Sequence, residues 1–282
     1  MENDTLSRFT DAPDYAKFQQ EILAFYRKKG RSFPWRTTDD PYAILVSEFM
    51  LQQTQTERVV EKYTNWLTAF PSIPVLAAAS FADVLAYWVG LGYNRRARFL
   101  HECAKTIAKL HGGVVPADPA ALQMLSGIGP YTAAAVAAFA YNQPTVFIET
   151  NIRAVFIHRF FPQASAVGDK EILPHVQASL YKENPRMWYY ALMDYGAELK
   201  KTVQNPNRKS RHYTRQSKFA GSVRQARGAV VRSLTMHPNQ TYAELLAHTQ
   251  IEEKLFTQGL TALLKEGFIA ENSGIYAIGT PN

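Results

Sequence analysis

The run Leu125-Ser126-Gly127-Ile128-Gly129-Pro130-Tyr131-Thr132 constrains this chain more than any other stretch. Two glycines one residue apart predict a tight hairpin caught between two helices. Such a hairpin brings bare backbone N–H groups to where a phosphate can meet them. Further along, Val146-Phe147-Ile148-Glu149-Thr150-Asn151 sets an isolated carboxylate ahead of another helical stretch. From there it can face the sugar of a nucleotide that the hairpin holds.

The surrounding pattern is helical. Residues 1–198 read as consecutive helices with short polar or glycine-containing breaks, and almost no segment alternates with period two. Asp14 to Lys29 is amphipathic, Tyr42 to Phe70 carries one or two helices, and Asp83 to Trp88 precedes the break Gly90-Leu91-Gly92. Asp118 suits an N-cap, Thr132 to Tyr141 is alanine-rich, and Asn151 to Phe161 follows. Beyond residue 223 the pattern changes. Arg224 to Met236 is helical, Thr241 to Glu244 forms a capping box, Ile251 to Glu266 is a longer helix, and Phe268–Ala270 and Ile275–Ile278 flank a turn. Three helices and a small hairpin predict a winged-helix-like module over 224–282.

The net charge of +7 is concentrated. From Leu199 to Arg232 there are ten basic residues and no Asp or Glu, among them Lys200, Arg208, Lys209, Arg211 and Arg215. Residues 233–282 carry a net of −3, and residues 1–198 balance. The segment 199–223 is therefore either a solvated linker or a strip that tracks phosphates, and the density of Lys and Arg favours the strip. The net acidic module, with Glu252, Glu253 and Glu266 on its longer helix, suits a structural or partner-docking role better than groove reading. The polar start Met1-Glu2-Asn3-Asp4 is unlike a secretory signal, and no apolar run approaches a membrane span. A cytoplasmic chain, nucleoid-associated in a bacterium, is expected. The single cysteine, Cys103, excludes an intrachain disulfide and any cluster held by several thiolates of this chain.

Several motifs occur in order: Phe33-Pro34-Trp35-Arg36, Pro41-Tyr42, Ser47-Glu48-Phe49-Met50-Leu51-Gln52-Gln53-Thr54, and Trp88-Val89-Gly90-Leu91-Gly92-Tyr93 with Arg95, Arg96 and Arg98. The hairpin, Glu149 to Val155, and Ala191-Leu192-Met193-Asp194-Tyr195-Gly196-Ala197 complete the set. With these motifs residues 30–198 resemble the helix-hairpin-helix (HhH-GPD) DNA glycosylases, the superfamily of endonuclease III, and most closely the adenine glycosylases of the MutY type. The resemblance implies an all-α, two-lobed glycosylase domain over 1–198, and a monomer acting on double-stranded DNA that holds a mispaired or damaged base. It differs in three places. Glu149 stands where the family usually has Asp, Lys200 stands where the first iron–sulfur cysteine would be, and the winged-helix-like module replaces the domain that reads 8-oxoguanine. No cofactor and no iron–sulfur cluster is expected. The resemblance also implies a monovalent cation at the hairpin carbonyls, and the module is open to a protein partner.

Cutting an N-glycosidic bond calls for an acid at the base and a carboxylate at the oxocarbenium-like sugar. By resemblance Glu48 is the general acid, with a raised pKa in its apolar run, and Glu149 is the ionised partner. A plain N-cap ahead of Asn151 is the other reading of Glu149. Tyr131 stands where bifunctional relatives place a Schiff-base lysine, so a monofunctional enzyme is implied, with Tyr131 beside the sugar or packed against the hairpin. Gln52, Gln53 and Thr54 suit base edges. Tyr93, beside Leu91, is either a wedge entering the duplex or a core aromatic. Arg95, Arg96 and Arg98 meet phosphates or pair internally. Gly127, Ile128 and Gly129 present amides to a phosphate, with Thr132 and Asn151 nearby on the implied DNA side, and Lys200, Arg208, Lys209 and Arg211 extend the grip. The expected reaction is removal of adenine opposite G or 8-oxoguanine. A thymine or uracil mismatch glycosylase and a non-catalytic binder of damaged or branched DNA are the alternatives.

Overall fold

A computed structural model of the chain describes residues 13–214 and 218–279; Met1 to Asp4 and Arg215, named above, lie outside them. In chain order the helices are α1 (Tyr15–Lys29), α2 (Pro41–Leu51), α3 (Thr56–Ala69), α4 (Ile73–Ala78), α5 (Phe81–Trp88), α6 (Arg95–Leu110), α7 (Pro119–Gln123), α8 (Pro130–Tyr141), α9 (Thr150–Phe160), α10 (Asp169–Ala178), α11 (Pro185–Thr202), α12 (Val223–Met236), α13 (Tyr242–Thr249) and α14 (Glu253–Lys265). The strands are β1 (Gln240–Thr241), β2 (Ile269–Asn272) and β3 (Ile275–Ile278). No helix among the described residues is long and apolar enough to cross a membrane.

The chain divides into two compact units, one drawn from Met1–Arg31 and Asn142–Thr214, the other from Ser32–Tyr141 and Arg215–Asn282. This division by packing differs from the linear one at residues 198 and 223. The physical reason is that α1 needs α11 to cover its apolar face, and α12 has α5 as well as α14 to pack on.

In the first unit the buried ring of Phe18 on α1 meets Phe156 and Trp188 edge-on at 5.5 and 5.8 Å, joining α1, α9 and α11 into one core. Asp14 caps α1 by accepting from the Lys17 amide. A 3-10 turn at Pro206–Lys209 follows α11 and packs on α9.

The second unit is built on α2 and α8. Asp40 accepts from the Tyr42 and Ala43 amides and Pro41 occupies the first turn, so α2 starts sharply. Every residue of α2 from Tyr42 to Met50 is buried, which is the pattern of a helix surrounded by protein. Small residues let α8 lie close beside it, with Ala133 and Ala135 to Ala138 all inaccessible. The C-terminal module forms the three helices and the β2–β3 hairpin that its spacing predicts, the hairpin lying within a three-stranded antiparallel sheet of order β1-β3-β2. Ser273 and Gly274, both at positive φ (52° and 81°), make the tight β2–β3 turn. The two-residue β1 was not expected. It pairs Gln240 with Tyr276 and Thr241 with Ile275.

Candidate functional site

Glu48 lies in the second unit, on α2, and is only 7% exposed. The chain leaves α2 through Gln52 and then Gln53, which adopts a left-handed φ of 54°. This abrupt exit is held by one side chain. The Arg96 guanidinium donates through Nη1 to the carbonyls of Phe49, Met50 and Gln52 at 2.9, 2.8 and 2.6 Å. Through Nη2 it donates to Thr54 Oγ1 and to the carbonyls of Leu91 and Gly92 at 3.0 to 3.1 Å. Arg96 thus ties the end of the Glu48 helix to the Gly90–Tyr93 loop. Its burial lowers the guanidinium pKa to about 10. Gln52 Nε2 donates to Thr132 Oγ1 at 3.4 Å, linking the same helix end to α8.

The three α6 arginines therefore have different fates. Arg96 is internal, and so is Arg98, which donates to the carbonyls of Glu266 and Gly267 at 2.5 Å and lies 3.9 Å over the Phe268 ring. Arg95 remains at the surface, bonded through Nε to Glu266 at 3.1 Å. Tyr93 is exposed at a left-handed φ of 49°, with the Arg96 guanidinium 5.6 Å from its ring and Arg224 Nη1 donating to its hydroxyl at 3.1 Å. Leu91, which the resemblance places with Tyr93 at the DNA side, is buried instead, as an apolar side chain in a loop with an exposed neighbour on either flank. The periodicity 96, 100, 103, 107 on α6 carries the signal for an internal Arg96, since the other three positions are apolar and buried.

At the hairpin, Gly127 has φ +75°, and a Cβ there would come within 2.9 Å of the Phe49 ring, so glycine is required on both counts. Gly129 has open space where a Cβ would be, leaving room for a ligand to approach the backbone. Ile128 departs from expectation: its amide closes the turn onto the Leu125 carbonyl at 3.2 Å and its side chain is buried. The exposed backbone is that of Gly127 and Gly129. Tyr131, half-buried, is the second residue of α8, and Thr132 is buried beneath Gln52.

Glu149 lies in the first unit and caps α9. Oε2 accepts from the Asn151 amide at 2.5 Å and Oε1 from Asn151 Nδ2 at 3.1 Å, so Asn151 is the residue that holds the carboxylate. The capping reading of Glu149 is thus realised. Desolvation pushes its carboxyl above the ordinary value, with the Asn151 amide and the Lys200 charge opposing the rise. The upward push therefore falls on the group that was expected to be the ionised partner. Lys200 is half-buried and its ammonium is shifted down by desolvation, opposed by Glu149. Beside Asn151, Gly196 of α11 is packed so closely that a Cβ would overlap the Asn151 backbone. Asn207 Nδ2 donates to the Thr150 carbonyl at 2.9 Å, and buried Asp194 accepts from the Arg31 amide and Nε, both at 2.7 Å. Gly196, Asn207 and Asp194 support this region, and sequence reasoning gave none of them a role.

The basic segment is only partly open. Val167 and Ser210 form a parallel bridge, Lys209 Nζ donates to the Pro162 carbonyl at 2.7 Å, and Arg211 pairs with Glu171 at 3.0 Å. Arg208 is exposed. The residues do not fit a thiolate-held cluster. Cys103 is the chain's one cysteine, it is buried on α6, and burial raises its thiol to about 12. Among the described residues no group of His, Cys, Asp or Glu is placed to hold a metal ion.

Two glycines at a hairpin between α7 and α8 make a helix-hairpin-helix arrangement, with a buried glutamate on α2 in the same unit. Residues 46–173 match the profile described as HhH-GPD superfamily base excision DNA repair protein. The chain is 44% identical over 180 residues to an adenine DNA glycosylase of Mycobacterium tuberculosis, covering 62% of this chain and 59% of that protein. It is 40% identical over 153 residues to the adenine DNA glycosylase of Rattus norvegicus, covering 51% and 30% respectively. It therefore spans less than two thirds of these curated relatives. Among solved structures, a thermostable thymine-DNA glycosylase superposes with a TM-score of 0.59 at 28% identity, covering 65% of this chain and 86% of that one.

Proposed function

We propose that this chain is a monofunctional DNA glycosylase that hydrolyses the N-glycosidic bond of a mispaired adenine opposite G or 8-oxoguanine in double-stranded DNA. The observation that carries the reading is the Arg96 staple. It fixes the exit of the Glu48 helix, with Gln52 to Thr54, against the loop that presents Tyr93, so acid, base-edge donors and wedge move as one body. In this reading Glu48 protonates the flipped base, the ring of Tyr93 fills the vacated stack, and Glu149 offsets positive charge at C1′. Tyr131 has no amine with which to form an imine, so the product is an abasic site. The 44% identity to an adenine glycosylase supports adenine as the base. The reaction needs no cofactor, and a monovalent cation, where bound, would take the hairpin carbonyls. Such an enzyme works as a monomer on cytoplasmic, nucleoid DNA.

A second reading, excision of thymine or uracil opposite G, is favoured by the likeness to the thymine-DNA glycosylase. The test is single-turnover base release on duplexes with A, T or U opposite G and A opposite 8-oxoguanine, with alkali revealing abasic sites. Product from the adenine duplexes alone supports the first reading. Product from T or U supports the second, and tight binding without any product defeats both.

A further inference from the structure

Thr150 and Asn151 share one peptide group, and both of its ends are engaged. Its N–H donates to Glu149 Oε2 at 2.5 Å, and its carbonyl accepts from Asn207 Nδ2 at 2.9 Å. A peptide group is planar, so whatever fixes the carbonyl also aims the N–H on the other side. A donor on the carbonyl oxygen further polarises the group and makes its N–H a stronger donor, by roughly 10–30% per bond. Asn207, the Thr150–Asn151 peptide and Glu149 therefore form one line of hydrogen bonds that ends on a carboxylate.

Asn207 is held firmly at the head of that line. It is 4% exposed and lies in the 3-10 turn Pro206–Lys209. Its N–H donates to Asn205 Oδ1 at 3.1 Å and its carbonyl accepts from the Ser210 amide at 2.9 Å, so the turn is closed on both sides of it. The side chain has one orientation, because turned over its Oδ1 would face the Thr150 oxygen. Oδ1 is buried without a hydrogen-bond partner among the described residues, which leaves the Nδ2 bond as the side chain's polar tie. Past the far end of α9, Lys209 Nζ on the Pro162 carbonyl and the Val167–Ser210 bridge fasten the same segment.

We propose that Asn207 is a positioning residue for Glu149, acting through the Thr150–Asn151 peptide group: its amide fixes the plane of that group and turns a polarised N–H onto the carboxylate. The segment after α11 thus acts on the reaction as a brace, apart from any phosphate that it meets. The part of Glu149 in base release rests on the glycosylase reading above, whereas the hold of Asn207 on Glu149 does not. The charge acting on Glu149 is that of Lys200 on α11, which a substitution of Asn207 leaves in place. Of the cations in the turn itself, Lys209 is tied to Pro162 and Arg208 is exposed.

The experiment follows the Glu149 carboxyl by 13C NMR across a pH series, with Glu149→Gln to assign its signal. The same proteins are tested for single-turnover base release on the duplex that the unsubstituted chain acts on. Asn207→Leu, close in size and without a donor, should move the Glu149 titration up by about half a pH unit. It should slow base release by about tenfold. Asp14→Ala removes the α1 cap from the same unit and should move neither. Should Asn207→Leu not fold, Asn207→Ala makes the same comparison. An unchanged titration in the Asn207 variant, an equal movement in Asp14→Ala, or a moved titration with an unchanged rate overturns the proposal and leaves the glycosylase reading standing. A moved titration in a chain that releases no base from any of the four duplexes above upholds the hold of Asn207 on Glu149 and sinks the glycosylase reading.

Discussion

Gly196 of α11 lies so close to Asn151 of α9 that a Cβ built on it would stand 2.8 Å from the Asn151 carbonyl carbon. Asn151 in turn holds both oxygens of Glu149. One missing methyl group therefore sets where the carboxylate stands. Gly196→Ala is expected to cost about 1–3 kcal/mol in stability from overpacking. It should slow base release on the order of 10²-fold through displacement of Glu149. Thermal unfolding and single-turnover kinetics on the same preparation check both.

Glu149→Gln should abolish base release and spare DNA binding. Because desolvation raises the carboxyl pKa in the folded state, ionised Glu149 weakens the fold at neutral pH. The amide keeps one oxygen to accept from the Asn151 backbone N–H and gives up only the bond from Asn151 Nδ2, so the variant should melt at or above the temperature of the parent at pH 7. The difference should shrink as pH falls below the ordinary carboxylate range, where both side chains are neutral. Lys200→Met removes a charge that favours the ionised form, so the acid limb of the rate profile should move to higher pH. A limb that stays in place would remove Lys200 from the electrostatics of Glu149.

Arg96→Met takes one donor from each of six oxygens, of which the Gly92 carbonyl keeps Trp88 Nε1 and the Gln52 carbonyl keeps Thr54 Oγ1, and should cost on the order of 3 kcal/mol. Arg96→Lys should rescue little, since a point-like ammonium lacks the fork that serves two backbone segments at once. Urea unfolding of the three proteins gives the comparison.

Glu266 is held down to about 2 chiefly by the Arg227 bonds, with Arg95 adding to them. A depressed carboxylate stabilises the fold above its unfolded value and loses that contribution as pH falls towards the folded one. Glu266→Gln should therefore be destabilised at pH 7 by about 1–3 kcal/mol, allowing for the exposure of Arg95. The gap to the parent should close between about pH 4.5 and about pH 2. A gap independent of pH would mean that the guanidinium pairs contribute nothing.

Within the basic segment, Arg208→Ala should lower the salt slope of duplex binding by about 0.9. Lys209→Ala and Arg211→Ala should instead lower the melting temperature, because those side chains fasten the segment to Pro162 and Glu171. Equal slope changes in all three would restore the continuous phosphate strip.

The helices were legible because their ends are written in side chains: Asp118 and the Thr241 and Glu244 pair cap where expected, and Asp14, the first residue of the amphipathic stretch, is the cap of α1. The hairpin was legible because only glycine fits at residue 127. Arg96 was harder to separate from Arg95 and Arg98, since three arginines in a four-residue run look alike until helical phase is applied. The strand Gln240–Thr241 could not be read locally, because two residues become a strand only when β3 lies beside them. The docking of the module could not be read at all, since Arg224 and Tyr93 are 131 residues apart. Nor could the raised pKa of Glu149, which comes from its burial in the folded unit against the opposing charge of Lys200.

The first unit is assembled from both sides of a long insertion. Tyr15 of α1 meets His175 of α10, and Gln19 meets the Ser179 carbonyl, each across 160 residues. During synthesis α1 therefore emerges with Phe18 and Ile22 uncovered and waits until α9 to α11 have been made. The second unit is likewise incomplete until its last strand appears. Closure of both units late and over long loops makes this a slow-folding topology, exposed to aggregation while nascent. A truncation that ends before α11 would strip α1 of its largest packing surface, Trp188 included, and leave Phe18 covered only by α9.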